Sequence, residues 1–225
     1  MVDLTLRYER KFIDKILDIK EFEHSILNHP SGFKEVYSQR CVNNIYFDDD
    51  RFSLFSKNIE GYYDRIKYRI RWYGDILSEI KKPKLELKIK KGLLGYKRSF
   101  SLKPFSLELL NYNNSFNKLI YESEIPIEIK ESLKFLRPKL INNYTRKYFI
   151  STISPHIRLT MDNQLKYYRP LLAYNNRSEF PNSVKVIELK YDNKKEDNID
   201  FVSGQLNFRL SKFSKYVNGI IFLYK

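Results

Sequence analysis

The chain has 225 residues, of which 42% are hydrophobic and 16% aromatic, which excludes a disordered composition and allows a single domain over residues 1–225. Its 41 Lys and Arg against 27 Asp and Glu give a net charge of +14, which predicts an anionic partner without distinguishing nucleic acid, a membrane surface and phosphate compounds. A single cysteine, Cys41, excludes an intramolecular disulfide, and a sequence with neither a membrane-length apolar run nor a signal-peptide pattern is expected in the cytoplasm.

Apolar residues recur mainly at every second position, in short and separate segments, which predicts a mostly antiparallel β domain. Two glycines in "KKGLLGYK" predict a hairpin between the fourth and the fifth of these strands. The predicted strands cover residues 5–12, 42–48, 65–73, 84–91, 96–102, 143–150, 156–163 and 184–191.

Helical spacing of apolar residues occurs in three places. The segment "IDKILDIKEFEHSILNH" predicts a helix after the first strand. The segment "IPIEIKESLKFLRP" predicts a helix that begins near Pro126 and ends before Pro138. Its apolar side consists of Ile129, Leu133 and Leu136. A third helix is expected around Leu206 to Val217, so the sequence predicts an α+β fold that is mainly antiparallel β.

The segment "RIKYRIRWYG" has a cation at every second position, so one face of its strand is cationic and the other is apolar. In a single strand this pattern is typical of a face in contact with solvent. Several strands repeat it, however, and rows of like charge destabilise a sheet unless an anion lies between them. The charged positions of these strands are Arg65, Lys67, Arg69 and Arg71, then Arg7, Glu9 and Lys11, then Glu86, Lys88 and Lys90, then Arg146 and Arg158, and finally Glu188 and Lys190.

A closed barrel would bring these charged faces together, because its strands point alternate side chains into one lumen. Such a lumen suits a linear polyanion and a divalent metal ion, since Arg and Lys bind phosphate oxygens and Glu binds the metal. A nucleic-acid binder remains an alternative that rests on net charge and on aromatic residues that could stack on bases. The 18 tyrosines mostly alternate with charge, however, and we expect them in the core or on the barrel exterior.

Eight segments resemble, in order, the motifs of the VTC domain, the polyphosphate polymerase branch of the triphosphate tunnel metalloenzymes. They lie within residues 4 to 219 and read "RYERKF", "NNIYFDDD", "RIKYRIRWYG", "LELKIKK", "YTRKYF", "IRLTMDN", "VIELKY" and "SKFSKY". The resemblance implies an eight-stranded closed tunnel barrel with helices packed around it. It also implies an ATP-dependent polyphosphate polymerase that transfers the γ-phosphoryl group of ATP to a growing polyphosphate chain, with Mn²⁺ or Mg²⁺ as cofactor.

Together with the cationic strand faces, the resemblance assigns residues to the tunnel. The catalytic positions that it implies are Lys11, Arg69, Arg71, Lys88, Arg146 and Arg158. Further phosphate-binding positions are Arg7, Lys67, Lys90, Lys97, Lys190, Lys212, Ser214 and Lys215. The implied metal ligand is Glu188, and Glu9 is a second candidate.

One position departs from the wider superfamily. Its hydrolase and cyclase branches begin with Glu-x-Glu-x-Lys, whereas this chain has Arg7 at the first position, which replaces a metal ligand by a phosphate contact. The departure disfavours triphosphatase and cyclase activities. The remaining alternative is a non-catalytic module that binds polyphosphate or inositol phosphates, serves a membrane protein partner and is recruited to the inner face of a membrane. The presence of Glu188 favours catalysis.

Overall fold

The computed structural model describes residues 7–92, 94–111, 113–170, 184–192 and 199–224, and for Arg7 it describes the backbone alone. The strands are β1 (Arg7–Asp14), β2 (Phe33–Asp48), β3 (Asp64–Tyr73), β4 (Lys84–Lys91), β5 (Leu94–Ser101), β6 (Arg137–Ser151), β7 (Arg158–Tyr168), β8 (Lys185–Asp192) and β9 (Arg209–Leu210). The helices are α1 (Ile19–Leu27), α2 (Ser53–Ile59), α3 (Asn113–Glu122), α4 (Ile127–Lys134), α5 (Ile199–Gly204) and α6 (Lys215–Tyr224), with a 3₁₀ turn at Leu107–Asn111.

The strands form one antiparallel sheet in the order β5-β4-β3-β2-β6-β7-β8-β1-β9. Among the described residues, the two sides of this sheet meet at a single backbone pair, between Arg7 of β1 and Gly95 of β5. The expectation of eight strands in a closed barrel is therefore corrected in two respects. A short ninth strand, β9, pairs with Phe12 and Ile13 of β1, and the sheet is not closed by the described residues of β1 and β5, which form one backbone pair.

The apolar faces of the strands pack under the helices, as the alternation of residues predicts. On β3, Tyr68, Ile70 and Trp72 are buried in a cluster that also holds Ile129 and Leu133 of α4. A second cluster joins β1, β7 and β8 to α1 and α5. Because the apolar face of β3 is committed to these contacts, its cationic face must point to the other side of the sheet.

Helix α6 packs on that other side. Its Tyr216 and Ile220 lie in one cluster with Tyr46 of β2 and Tyr144 of β6. Asp48, at the end of β2, accepts a hydrogen bond from the Tyr216 hydroxyl and from two backbone amides of α2. The inner face of the sheet therefore has an apolar part covered by α6 and a charged part beside it.

Of the three predicted helices, one is confirmed, one begins later than predicted and one is not observed as predicted. Helix α4 lies where it is expected and buries Ile129 and Leu133, whereas Leu136 is buried just beyond its end. Helix α1 begins later than its apolar pattern suggests, because Asp18 and Glu21 form a capping box that fixes its start. The prediction of a helix around Leu206 to Val217 is wrong, because β9 lies within that range and α6 begins at Lys215.

Within the described ranges, no helix combines the length and the apolar character that crossing a membrane requires.

Candidate functional site

A cavity of about 90 Å³ lies on the charged part of the inner face. Eight of its thirteen lining residues are Lys or Arg, and they come from six separate elements of the chain. The lining residues are Lys11, Tyr46, Lys67, Arg69, Arg71, Lys88, Tyr144, Arg146, Glu188, Lys190, Ser214, Lys215 and Tyr216. This concentration of positive charge is the arrangement that a bound polyanion stabilises.

Two arginines of β3 are held against one wall of the cavity by a buried carboxylate. Glu86 of β4 is 3% exposed and lies opposite Arg69 in the sheet. It accepts hydrogen bonds from Arg69 Nε at 2.8 Å and from Lys97 Nζ at 2.8 Å. Arg71 donates to Asn44 Oδ1 at 2.8 Å and to the Tyr144 hydroxyl at 3.1 Å. Both guanidinium groups are thereby fixed in orientation before any ligand is bound.

A second buried carboxylate holds the opposite wall. Asp162 is fully buried and accepts two hydrogen bonds from Arg146, at 2.5 and 2.7 Å, and one from Lys215 Nζ at 2.5 Å. Burial by itself would raise the pKa of Asp162, but Arg146 and Lys215 reverse this effect and hold the pKa below its usual value. The carboxylate is therefore ionised and joins β6, β7 and the start of α6.

Glu188 is the lining carboxylate and lies among cations. Its oxygens are 3.2 Å from Lys190 Nζ, 3.3 Å from Arg146 and 3.6 Å from both Lys11 and Lys215. Burial alone would raise the pKa of Glu188, and these four cations instead hold it well below its usual value.

Glu9 and Lys88 cross the open seam of the sheet. Lys88 of β4 donates to Glu9 of β1 at 3.2 Å, although the two strands are not paired with each other. Glu9 also lies 3.1 Å from Lys11 Nζ. Side-chain ion pairs therefore link β1 to the β3–β5 side, where the described part of the backbone contributes one pairing.

Lys67 differs from its neighbours because the contacts of its ammonium are to uncharged groups. It donates to Ser214 Oγ at 2.9 Å and lies 5.8 Å from the ring centre of Tyr216. Burial lowers the pKa of Lys67 well below that of an ordinary lysine, and the charges of Lys11 and Lys88 lower it further. An anion in the cavity would relieve this repulsion.

The start of α6 points its first residues at the same space. Ser214 caps the helix, with its carbonyl accepting from the amide of Asn218 at 2.9 Å, and Lys215 follows. Helix N-termini carry a partial positive charge and favour anions. The helix thus adds to the field of the basic side chains.

The structure brings most of the assigned residues to one cavity. The residues that line it are Lys11, Arg69, Arg71, Lys88 and Arg146 of the catalytic set, Lys67, Lys190, Ser214 and Lys215 of the phosphate-binding set, and Glu188 of the metal set. The residues that lie elsewhere are Arg158, Lys90 and Lys212, which are exposed, Lys97, which is exposed and bonded to Glu86, and Glu9, which contacts Lys11 from outside the lining. The Arg7 side chain lies outside the described part of the chain.

The sequence did not identify several residues that shape the site. Glu86 and Asp162 hold the arginines, and three tyrosines contribute hydroxyl groups and rings to the lining; these are Tyr46, Tyr144 and Tyr216. The sequence contained an indication of both carboxylates, because each lies on the same face of its strand as a basic residue: Glu86 with Lys88, and Asp162 with Arg158. The expectation that tyrosines lie in the core or outside the barrel holds for these three, which are buried in the cluster under α6 and also line the cavity.

Two carboxylates near the cavity, those of Glu9 and Glu188, are candidate ligands for a divalent metal ion. In the described part of the chain, no three His, Cys, Asp or Glu side chains gather into a metal site. Glu9 and Glu188 nevertheless flank Lys11, at 3.1 and 3.6 Å from its Nζ. Ions of the Mg²⁺ type are commonly held by one or two carboxylates together with phosphate oxygens of the substrate. The two glutamates fit that mode.

Comparison with solved structures shows that this architecture is shared. HpAC1 of Hippeastrum, a candidate adenylyl cyclase with a dominant triphosphatase activity, is 11% identical with a TM-score of 0.52, covering 95% of this chain and 93% of that one. A candidate adenylate cyclase of Vibrio parahaemolyticus is 8% identical with a TM-score of 0.51, covering 94% and 97%. At these identities the likeness shows a common fold.

Comparison of the sequence gives the family. No curated protein matches the chain. The sequence profile of the VTC domain, in contrast, matches residues 6–224, which is nearly the whole chain and includes every residue that lines the cavity. The eight ordered motifs and the basic cavity agree with this match, and the chain belongs to the VTC domain family.

Proposed function

We propose that this VTC domain is an ATP-dependent polyphosphate polymerase, which transfers the γ-phosphoryl group of ATP to a growing polyphosphate chain and releases ADP. The observation that carries the proposal is the meeting of eight basic side chains from separate elements on one cavity. Phosphoryl transfer needs positioning and charge neutralisation more than covalent assistance. A cavity built of fixed cations supplies both.

The side chains of the chain have distinct tasks in this reaction. Arg69, Arg71 and Arg146 bind phosphate oxygens of the donor through guanidinium groups that Glu86, Asn44 and Asp162 already orient. Lys67 and Lys215 add charge beside the N-terminus of α6. The terminal phosphate of the acceptor is ionised at neutral pH, so its attack on the γ-phosphorus needs little help from a general base.

A divalent ion, Mn²⁺ or Mg²⁺, would be held by Glu188 with Glu9 as its second carboxylate. When bound, it supplies neutralisation of charge on phosphate oxygens. Lys11, which now lies between the two carboxylates, would then be released from them to contact phosphate. In this function the protein acts in the cytoplasm on ATP and polyphosphate. A membrane protein is its further partner.

One observation favours a second candidate, a module that binds polyphosphate or inositol phosphates without turnover. Four cations surround Glu188 and neutralise its charge. The carboxylate would therefore not repel a bound anion strongly, and no metal ion is needed to offset it. Both candidates predict that tripolyphosphate binds. Turnover of ATP distinguishes them.

The test is incubation of the purified protein with ATP and either Mn²⁺ or Mg²⁺, with tripolyphosphate as primer. We expect a ladder of polyphosphate on a gel and a matching release of ADP. Arg71→Ala should reduce both by about a hundredfold, as expected for loss of a fixed donor to phosphate. Lys103→Ala removes an exposed lysine that is paired with Glu122 and should have no effect.

Two results would contradict the polymerase proposal. Binding of tripolyphosphate without ADP release under either metal would support the binding module. Release of inorganic phosphate without polymer would indicate a hydrolase and would also remove the significance of Arg7 at the first motif position.

A further inference from the structure

Three tyrosines surround one arginine beside the cavity, and we call this group the tyrosine cluster. The guanidinium carbon of Arg40 lies 5.0 Å from the ring centre of Tyr37, 5.5 Å from that of Tyr148 and 5.8 Å from that of Tyr73. Tyr37 and Tyr148 meet edge to face, with ring centres 5.8 Å apart. None of these four residues is among those assigned to the site from the sequence.

The tyrosine cluster lies on the same face of the sheet as the cavity. Tyr73 follows Arg71 by two residues on β3, and Tyr148 follows Arg146 by two residues on β6. Arg40 pairs with Arg146 across β2 and β6. Because residues two apart point to the same side and are separated by roughly 7 Å, the cluster continues the wall that Arg71 and Arg146 begin.

The rings are accessible as well as close. Tyr37 is 56% exposed and Tyr73 is 53% exposed, which is unusual for aromatic side chains on an inner face. Burial and the neighbouring Tyr73, to which it is hydrogen-bonded, raise the pKa of Tyr148 to about 12. Its hydroxyl therefore remains protonated and can act as a hydrogen-bond donor. The expectation that tyrosines lie in the core or on the barrel exterior is wrong for Tyr37 and Tyr73, which are exposed on the inner face.

We propose that the tyrosine cluster is the subsite for the nucleoside of the phosphate donor. Bases stack on Tyr rings and on Arg guanidinium planes, and the exposed cluster offers both. Arg40 also places a positive charge beside Arg146, with which it pairs across β2 and β6. The proposal rests on the proposed use of a nucleoside triphosphate. Because stacking uses the face that every base has, it predicts similar binding of ATP and GTP.

A structural role for the cluster makes a different prediction. If the rings served to hold the ends of β2 and β6 together, their loss would weaken the fold and would reduce the binding of all ligands alike. If they bind the nucleoside, their loss affects ATP and leaves tripolyphosphate unchanged, since tripolyphosphate has no base. The ratio of the two affinities therefore separates the roles.

The experiment is calorimetric titration of the full chain with ATP and with tripolyphosphate, at equal ionic strength and with EDTA to prevent turnover. We expect Tyr73→Leu with Tyr148→Leu to weaken ATP binding about tenfold, as expected for the loss of base stacking, with tripolyphosphate binding unchanged. Tyr73→Phe with Tyr148→Phe keeps the rings and should retain most of the ATP affinity. Tyr62→Leu is a matched control, because Tyr62 is 54% exposed and lies before the opposite end of β3.

The outcomes distinguish this proposal from the polymerase proposal. Equal changes for ATP and tripolyphosphate, no change for ATP, or the same effect from Tyr62→Leu would each overturn the nucleoside subsite, even if polymer is formed. Selective loss of ATP affinity would support the subsite even if the chain forms no polymer. Failure of the unaltered chain to bind ATP would overturn both proposals.

Discussion

Buried carboxylates decide how the basic side chains of the cavity are arranged. Glu86 contacts Arg69 at 2.7 Å, Lys97 at 2.8 Å and Arg71 at 3.9 Å. Without it, these cations would repel each other inside the sheet. A carboxylate placed behind the cations thus makes a strongly basic wall compatible with folding, while leaving guanidinium nitrogen atoms for phosphate.

We predict that Glu86→Gln lowers kcat about tenfold while KM for ATP is unchanged or lower. The neutral side chain no longer fixes the orientation of Arg69, but the cavity becomes more positive and still attracts the substrate. The unfolding free energy should fall by about 3 kcal/mol, because buried cations lose their partner. Steady-state ADP release and urea unfolding measure the two effects. Glu131→Gln, an exposed change on α4, is the control, and an unchanged kcat in Glu86→Gln would contradict the prediction.

A further prediction concerns proton uptake by Lys67. Its depressed pKa means that the free protein binds fewer protons than the unfolded chain between that pKa and the ordinary lysine value, so stability rises with pH across this window. A bound polyanion favours the charged form and raises the pKa. Binding of tripolyphosphate in this window should therefore take up protons.

Titration of the protein with tripolyphosphate in buffers of different ionisation enthalpy, over a series of pH values, measures that uptake. Lys67→Met should reduce the uptake, whereas Lys103→Met, at an exposed position, should leave it unchanged. Equal uptake in Lys67→Met and the unaltered protein would show that other groups titrate.

At the scale of residues, the sequence predicts on which face of a strand a charged side chain lies. It does not predict whether that side chain is close enough along the strand to line the cavity. Alternation places Lys67, Arg69 and Arg71 on one face, and all three line the cavity. The same rule includes Lys90 and Arg158, which are exposed because their strands continue beyond the cavity. The position of a side chain relative to the cavity depends on the register between neighbouring strands, and the alternation of residues within one strand does not determine that register.

At the scale of elements, α6 depends on close packing at one glycine. A Cβ added to Gly219 would lie 2.6 Å from Leu140 Cδ2 and 2.8 Å from Tyr167 Cδ1. Both neighbours are buried, so neither can move freely. The helix approaches the sheet closely enough to bring Ser214 and Lys215 to the cavity because this position has no side chain.

We predict that Gly219→Ala lowers the unfolding free energy by about 2 kcal/mol and weakens tripolyphosphate binding, since α6 must shift outward together with Lys215. Gly204→Ala in α5 is the matched control, because an added Cβ there meets nothing within 4 Å. Thermal unfolding and calorimetric titration measure the two effects. An equal response of both glycine variants would mean that helix propensity, not packing, determines the change.

Strands with a clear alternation were predicted well, and the others were not. Strand β4 is observed at the predicted residues 84–91, and β3 differs by one residue. Strand β2 begins nine residues before its predicted start, because residues 34–40 are exposed on both faces and show no apolar period. Strand β6 begins six residues early, where Pro138 and a continuous buried run conceal the strand.

At the scale of the whole molecule, the chain has a net charge of +14, and the lining of the cavity holds eight Lys and Arg against one carboxylate. We predict that tripolyphosphate raises the melting temperature, because a ligand at a hundred times its Kd stabilises the folded state by about 2.7 kcal/mol. Sulfate at the same ionic strength should raise it less, since it spans fewer cations. Thermal unfolding with each anion tests this, and equal shifts for both would indicate general screening of charge.

The position of β1 has a consequence for how the protein is made. Lys11 pairs with Glu188 and Phe12 pairs with Leu210, so β1 is synthesised long before β8 and β9, the strands with which it pairs. At about 5–20 residues per second, β1 must wait roughly 10–40 s for them. During this time Phe12 is exposed, and the adjacent charges of Arg10 and Lys11 oppose aggregation of the unpaired strand. Arg10 and Lys11 therefore protect the nascent chain before either meets its carboxylate partner in the folded protein, Asp200 and Glu188 respectively.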